Sequence, residues 1–288
     1  LKPDLFVSPD GILSLGYKGK QFAVIHDINF FHNPGDLKFS NRKYYNYFFP
    51  KFAERALQIA TVSEYSKQDI CTNYLINSSK IDVVYCGINA FYKSVDAATI
   101  SNTRNKYSNG EPYFIFIGTL SPRKNIMRLM QAFELYKQET GATTKLLIVG
   151  GSMYKTNELF AAQQTLKSGA DIVFTGRLGD EELNLVLASA MALAFVPLFE
   201  GFGIPVIEAM TCRVPVIASN VTSVPEVVGD AALIVDPVNT VAIKDAMKQI
   251  ATDETLRQQL IQKGEERSRQ FTWEKTAELL WQSISKCL

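Results

Sequence analysis

From Glu111 onward, short runs of consecutive apolar residues alternate with stretches whose apolar positions recur every three or four residues. The run "YFIFIGTL" (113–120) is aromatic and β-branched, which predicts a strand buried on both faces. The next stretch, "NIMRLMQAFELYKQE" (125–139), sets Ile126, Leu129, Met130, Phe133 and Tyr136 at helical spacing. The rhythm continues through "KLLIVGG", a polar helix over 156–168, "DIVFTGRL", a helix in "DEELNLVLASA", and "ALAFVPL". A helix over 204–212 and the runs "PVIAS" and "AALIVDP" complete it. Apolar strands alternating with helices predict an α/β domain with a parallel, doubly wound sheet covered on both faces.

The first 108 residues follow the same rhythm less completely. Strands are expected at "LFVSP", "FAVIHDI", "IATVS" and "IDVVYCGI", with helices at about 41–57 and 64–75. Four strands are few for a doubly wound domain, and the first has no βα unit before it. Since the chain opens at Leu1, a first domain truncated at its N-terminus is expected. The turn-rich stretch Ser101–Gly110 reads as a linker. Beyond Asn239 the pattern is helical, ending in the amphipathic "WEKTAELLWQSISKCL". The expected organisation is a partial Rossmann-like domain over 1–108, a second Rossmann-like domain over 109–270, and a C-terminal helix over 271–288 packing back toward the first.

Composition narrows the functional classes. The 288 residues are 47% hydrophobic and carry a net charge of +1, so charge does not point to a nucleic-acid partner. Cys71, Cys86, Cys212 and Cys287 are scattered, as expected of reduced thiols in cytoplasm. His26 and His32 are too few for most metal sites, and no metal is expected. No apolar run approaches the ~20 residues of a membrane span.

Two strand-to-helix junctions carry candidate chemistry. In an open parallel sheet, ligands bind at the carboxyl ends of strands beside helix N-termini. At the first junction, "GTLSPRKN" (118–125), Arg123 and Lys124 add two positive charges suited to phosphate oxygens. A solvated basic turn is the plainer reading. At the second, "PLFEGFGIPVIEAM", Gly201 and Gly203 let backbone approach a ligand, while Glu200 precedes them and Glu208 lies eight positions on. Carboxylates beside phosphate would be repelled, so these should meet hydroxyls, as an acidic side chain does with ribose. An ordinary loop acid plus a helix-start acid favoured by the dipole fits the spacing too.

In "IHDINFFHNP" (25–34), His26 and Asp27 close a predicted strand. A histidine there suits a general base or a donor to a substrate hydroxyl, although a structural role is the commoner one. The stretch "KFSNRKYYNYFFPKF" (38–52) mixes four cations with seven aromatics, and Tyr44, Tyr45, Phe48, Phe49 and Phe52 follow a helical face. It reads as core packing, or alternatively as an interfacial helix near anionic lipid or a lipid-carrying acceptor.

Together these stretches resemble a known family. "EGFGIPVIEAM" followed by "PVIASNVTSVPEVVGDAALIVDP" resembles the donor-binding half of retaining glycosyltransferases of family 4, which have the GT-B fold. "IFIGTLSPRKNI" resembles that family's phosphate-binding loop, and "VIHDINFFHNP", "ATVSEYSKQDI" and "VVYCGINAFY" its first-lobe landmarks. The "HD" form with "SEYSK" is similar to mannosyltransferases of bacterial surface-polysaccharide synthesis. The resemblance implies two Rossmann-like domains facing a cleft. It assigns Arg123 and Lys124 to the donor's diphosphate, with Gly118 opening their loop, Glu200 to the donor sugar, and Glu208 to the ribose hydroxyls. Phe202 and Gly203 would offer backbone N–H groups, with Gly201 and Ile204 on either side. His26 would touch the sugar from the opposite lobe, and Ser223 with Val224 would shape the nucleotide end.

The implied reaction transfers a hexose with retention, without a cofactor or essential metal, from a nucleoside diphosphate sugar. GDP-mannose is favoured and a UDP-sugar is the alternative. The expected acceptor is a saccharide or lipid-linked saccharide, and peripheral contact with a membrane's inner face is envisaged. Arg123 and Lys124 would stabilise charge on the leaving oxygen. The resemblance also implies a glycine-rich loop opening the first lobe, which the sequence does not show, so an incomplete acceptor site is expected. A nucleotide-sugar-binding module without turnover is therefore the main rival. A glycoside hydrolase, with its paired carboxylates, and a sugar-nucleotide epimerase of related fold fit the ordered landmarks less well.

Overall fold

The computed structural model describes residues 3–151 and 156–288. Leu1, Lys2 and the segment 152–155, which the expected domain ranges include, lie outside the described residues. The described residues divide into two compact units. One comprises residues 3–87, Glu200–Phe202 and Phe271–Leu288; the other comprises residues 88–151, 156–199 and Gly203–Gln270.

The first unit contains a four-stranded parallel sheet in the order β1 (Phe6–Ser8), β2 (Gln21–Val24), β3 (Gln58–Thr61), β4 (Ile81–Val83). Helices α1 (Asn29–His32), α2 (Phe39–Arg55) and α3 (Glu64–Tyr74) connect these strands. The strand expected over 22–28 ends at Val24, and Ile25 to Ile28 continue as irregular backbone. On α2, Phe49, Phe52 and Ala53 are buried in a core with Ile25, Ile59, Ile70 and Ile81, and Tyr45 and Phe48 pack against it. Tyr44, expected on that face, is instead 40% exposed. Stepping at 100° per residue sets it about 60° from Tyr47 and about 140° from Phe49.

The second unit contains β5 (Tyr113–Ile117), β6 (Lys145–Val149), β7 (Ile172–Gly176), β8 (Ala192–Phe195), β9 (Val216–Ser219) and β10 (Leu233–Val235). Helices α4 (Ala97–Ser108), α5 (Ile126–Thr140), α6 (Thr156–Thr165), α7 (Asp180–Ala188), α8 (Ile204–Thr211), α9 (Val224–Val228), α10 (Thr240–Thr252) and α11 (Glu254–Ser268) belong with them, and α12 (Trp273–Ser285) belongs to the first unit. The sheet is parallel, in the order β10-β9-β8-β5-β6-β7. Read from the other edge and renumbered from β5, that is the 3-2-1-4-5-6 order of a Rossmann sheet. Strand order reverses between β5 and β8. Phe114, Phe116, Leu146, Ile148 and Ala194 form its core with Leu129, Met130 and Phe133 of α5 and Ile243, Met247 and Ile250 of α10.

The expected linker at Ser101–Gly110 is instead mostly helix α4. The Asp96 carboxylate caps its start by accepting from the Thr99 N–H at 2.7 Å, and Asn109 closes it in the left-handed region. The Arg104 guanidinium donates to the Ser189 carbonyl, and the Tyr107 hydroxyl to Glu182 on α7. Polar contacts rather than an apolar stripe hold it, so hydrophobic periodicity did not reveal it.

Helix α12 is anchored in the first unit. Leu279, Leu280 and Ile284 pack against a cluster of Phe22, Ala60, Val84 and Cys287. Lys286 Nζ and Ser283 Oγ each donate to Asp82 at 2.6 Å. Burial works against charge on Asp82, but these bonds and one from Gln58 hold its carboxyl below the usual range. Among the described residues, no helix is long and apolar enough to cross a membrane.

Candidate functional site

In the second unit, the candidate residues gather at the carboxyl ends of β5 and β8, where the strand order reverses. The end of β5 turns tightly because glycine permits it. Gly118 N–H donates to the Val149 carbonyl, and a Cβ on Gly150 would lie 1.8 Å from the Gly118 oxygen. Only glycine at 150 lets the ends of β5 and β6 approach so closely. A short 3₁₀ turn, Pro122–Lys124, then leads into α5.

Lys124 is only 7% exposed, with its ammonium 5.3 Å from the centre of the Phe195 ring. It lies beside Gly118, where an added Cβ would sit 3.7 Å from Lys124 Nζ. The Phe195 ring face thus lies within cation–π range of the buried ammonium. Arg123 is half-buried and ties its turn to the loop after β8. Its Nη1 donates to the Phe199 carbonyl at 3.1 Å, and its own carbonyl accepts from Leu198 N–H at 2.7 Å.

Asn125, next in line, was not singled out from the sequence. Its backbone is left-handed at φ 62°, a conformation asparagine tolerates. Its buried amide donates to the carbonyls of Val196, at 3.0 Å, and Pro237, at 2.7 Å, the segments that leave β8 and β10. One side chain thus joins three loops at the same sheet edge. The available signal was asparagine at the residue where the basic turn meets the helix.

Helix α8 starts at Ile204 behind Gly203, whose φ of 106° favours glycine, and Pro205 occupies its first turn. Ile204 is 40% exposed at that N-terminus. Glu208 lies on the second turn and hydrogen-bonds the Tyr92 hydroxyl. Burial pushes the Glu208 carboxyl up to about 7; the Tyr92 bond opposes that, and the charge of Asp180 adds to it. Burial and the same carboxylate raise the Tyr92 phenol well above its ordinary value. Cys212, one turn on, is pushed up to about 12, first by burial and then by Glu208. Tyr92 therefore satisfies the carboxylate, and sequence spacing gave no sign of it. Ser223 and Val224 are fully buried where α9 begins.

The remaining candidates belong to the first unit. His26 is exposed just beyond β2, its carbonyl accepting from the Thr61 hydroxyl. Gly201 meets Asp27, whose Oδ2 would lie 2.5 Å from an added Cβ. The Gly201 carbonyl accepts hydrogen bonds from two buried hydroxyls, Ser63 Oγ at 2.7 Å and Ser66 Oγ at 3.2 Å. Ser63 also caps α3 by accepting from the Ser66 N–H. The serines of the "SEYSK" landmark thus hold the backbone of the glycine loop. Phe202 is buried, its ring against Tyr85 and Phe271 at centroid distances of 6.0 and 5.6 Å. Glu200 is buried as well. Among the described residues, no group of three or more histidine, cysteine, aspartate or glutamate side chains could hold a metal ion.

A parallel sheet in Rossmann order, with a basic turn and a glutamate-bearing helix where the strand order reverses, defines an α/β protein whose candidate residues lie where such sheets bind ligands. The chain belongs to the family described as glycosyl transferases group 1, whose model matches residues 99–267, more than half of its length. It is 32% identical over 88% of its length to O-antigen chain mannosyltransferase B of Escherichia coli, of which it covers 66%. It is 28% identical over 93% of its length to the serotype-specific mannosyltransferase WbdA of Escherichia coli, of which it covers 34%. The chain thus spans less than two thirds of the length of these relatives. Anabaena Alr3699/HepE, solved in complex with UDP-glucose, aligns over 93% of this chain and 73% of its own with a TM-score of 0.80 at 18% identity. That likeness carries the fold, the α/β fold of GT-B glycosyltransferases.

Proposed function

We propose that the chain is a retaining hexosyltransferase that takes its sugar from a nucleoside diphosphate donor, without a cofactor or metal, and delivers it to a saccharide or lipid-linked saccharide. The observation that carries this reading is the pairing, at one sheet edge, of the Arg123–Lys124 turn with the start of α8 and Glu208. Lys124, Arg123 and the α8 N-terminus suit two phosphates. The Glu208 carboxylate, held by the Tyr92 hydroxyl, suits the two hydroxyls of a ribose.

In such a transfer, the bond from the sugar's anomeric carbon to the diphosphate oxygen breaks as the bond to the acceptor oxygen forms on the same face, and the acceptor hydroxyl's proton passes to the departing diphosphate oxygen. Negative charge builds on the departing oxygen. A buried lysine with an adjacent arginine stabilises that charge without reorganising. The family pattern assigns Glu200 and His26 to the sugar, with Gly118, Gly201, Phe202, Gly203 and Ile204 as backbone neighbours of the donor and Ser223 at its nucleotide end. Mannose is favoured because the relatives quoted above are named as mannosyltransferases.

Calorimetric titration with GDP, UDP, GDP-mannose and UDP-glucose, without added metal, tests the reading. Tight binding of one nucleotide series, weakened by Arg123→Ala and Glu208→Ala, is expected. Binding unchanged by both variants would sink it. Binding without acceptor-dependent turnover would leave a donor-binding module.

A further inference from the structure

We infer that the first unit carries a saccharide-binding site in the groove between helices α1, α2 and α3. The inference rests on the saccharide-acceptor reading for its class of ligand. A cavity of about 410 Å³ opens in this groove, a volume within the range of small-molecule sites. It follows α2 from Arg42 in the first turn to Pro50, and Tyr74, the last residue of α3, lines its end. It thus extends toward the amino ends of β3 and β4, whereas ligands of open parallel sheets sit at the carboxyl ends. Several polar groups on its walls lack a partner. The Tyr74 hydroxyl is buried and has no hydrogen-bond partner among the described residues. Pro50 has no N–H, so the Asn46 carbonyl lacks the helical donor four residues on. Among the described residues, half-buried Arg42 forms no ion pair, and its guanidinium lies 5.5 Å from the centre of the Phe39 ring.

The mixture of groups selects the ligand. Phe31, 44% exposed, supplies an apolar wall with Pro34 and Pro50. Asn73 donates from its amide to the Asp69 carbonyl at 2.9 Å and to Asp69 Oδ1 at 2.8 Å, which leaves its own side-chain oxygen to accept. His32 Nε2 holds the same carboxylate at 2.7 Å. A pyranose ring matches this set. Its C–H face packs on an aromatic ring, and its hydroxyls both donate and accept, toward the oxygens of Asn46 and Asn73 and from Arg42 and Tyr74. A phosphate or carboxylate would suit Arg42 but would face those oxygens and the Asp69 carboxylate behind Asn73. An acyl chain would leave every one of these polar groups covered and unpaired, which is costly.

Titration of the full chain with mannotriose, maltotriose and cellotriose, followed by ligand-observed NMR with no donor present, tests this. Binding of at least one trisaccharide is expected. Arg42→Gln should weaken it by about 10-fold or more, since a hydrogen bond from a charged group is lost. Phe31→Ala should weaken it by about fivefold and Tyr74→Phe by about threefold. The circular dichroism and GDP affinity of all three variants should be unchanged. Failure of all three trisaccharides to bind, or binding indifferent to the Arg42 and Phe31 changes, would overturn the inference. So would displacement of the sugar by inorganic phosphate that Arg42→Gln abolishes, which would make the cavity an anion site. The donor reading fails separately, in the nucleotide titration, because none of these variants touches the second unit.

Discussion

Replacing Glu208 with glutamine should stabilise the protein while weakening its grip on nucleotide, and pH should pull the two effects apart. Glu208 is half-buried, and desolvation pushes its carboxyl from 4.5 up to about 7. It therefore holds its proton more tightly folded than unfolded. Its stabilising contribution is complete below 4.5 and is lost as pH rises through 7. The gap between 4.5 and about 7, at about 1.4 kcal/mol for each pH unit, comes to about 3 kcal/mol. Glutamine cannot ionise, keeps the shape, and can still bond the Tyr92 hydroxyl. In urea denaturation, the advantage of Glu208→Gln over the parent should grow by about 2 to 3 kcal/mol between about pH 5 and about pH 8. A difference that stays flat with pH would refute the claim that this carboxylate is desolvated. Ribose hydroxyls bond the ionised form better, so parental affinity for the favoured nucleotide should rise with pH through 7, and that dependence should vanish in Glu208→Gln. Tyr92→Phe removes the bond that favours the charge. A hydrogen bond to a charged group is worth about 1.5 to 3 kcal/mol, so the binding midpoint should move up by about one to two pH units.

Lys124→Ala should weaken binding of the nucleoside diphosphate by about 10- to 100-fold while leaving the bare nucleoside unaffected, since a charge-assisted bond of about 1.5 to 3 kcal/mol is lost; titration of both ligands checks it. Asn125→Ala leaves the Val196 and Pro237 carbonyls without their donor and puts alanine at φ 62°. It should cost at least about 3 kcal/mol in urea denaturation, of which Asn125→Gly should recover about 1 kcal/mol. Gly150→Ala drives a methyl group into the Gly118 carbonyl oxygen, 1.8 Å away. It should cost more than about 3 kcal/mol and, by displacing the turn that carries Lys124, also weaken nucleotide binding in the same titration.

What could be read in the sequence followed the range of each physical signal. Strands buried on both faces are consecutively apolar, so β5, β6, β8 and β9 stood out in "YFIFI", "KLLIV", "ALAF" and "VIAS". A glycine at a strand end and a glutamate on the following helix are local, so the junctions after β5 and β8 stood out too. Helix α4 did not, because its stability comes from an aspartate cap and from partners on α7. Asn125 escaped notice for a related reason, since its worth lies in carbonyls that reach it from β8 and β10 only once the sheet has assembled.

The glycine loop and the half-buried Glu208 show the same division at closer range. "EGFG" announces backbone that can approach a ligand, but not what keeps that backbone in place. The structure supplies the serines of another landmark, whose hydroxyls hold the Gly201 carbonyl. Likewise, "EGFGIPVIE" places Glu208 on the helix but says nothing of the phenol that satisfies it. An ionised carboxylate buried without a donor would be too costly to keep, so a donor had to come from elsewhere in the chain. Tyr92 is that donor, and it sits in "GINAFY", a stretch that looked like a landmark with no chemistry of its own. Residues proposed to meet a ligand are thus marked by local pattern, while those that position them are marked by burial, which only the folded chain reveals. For this reason the Tyr92→Phe experiment probes the structure more sharply than any change at the glutamate itself.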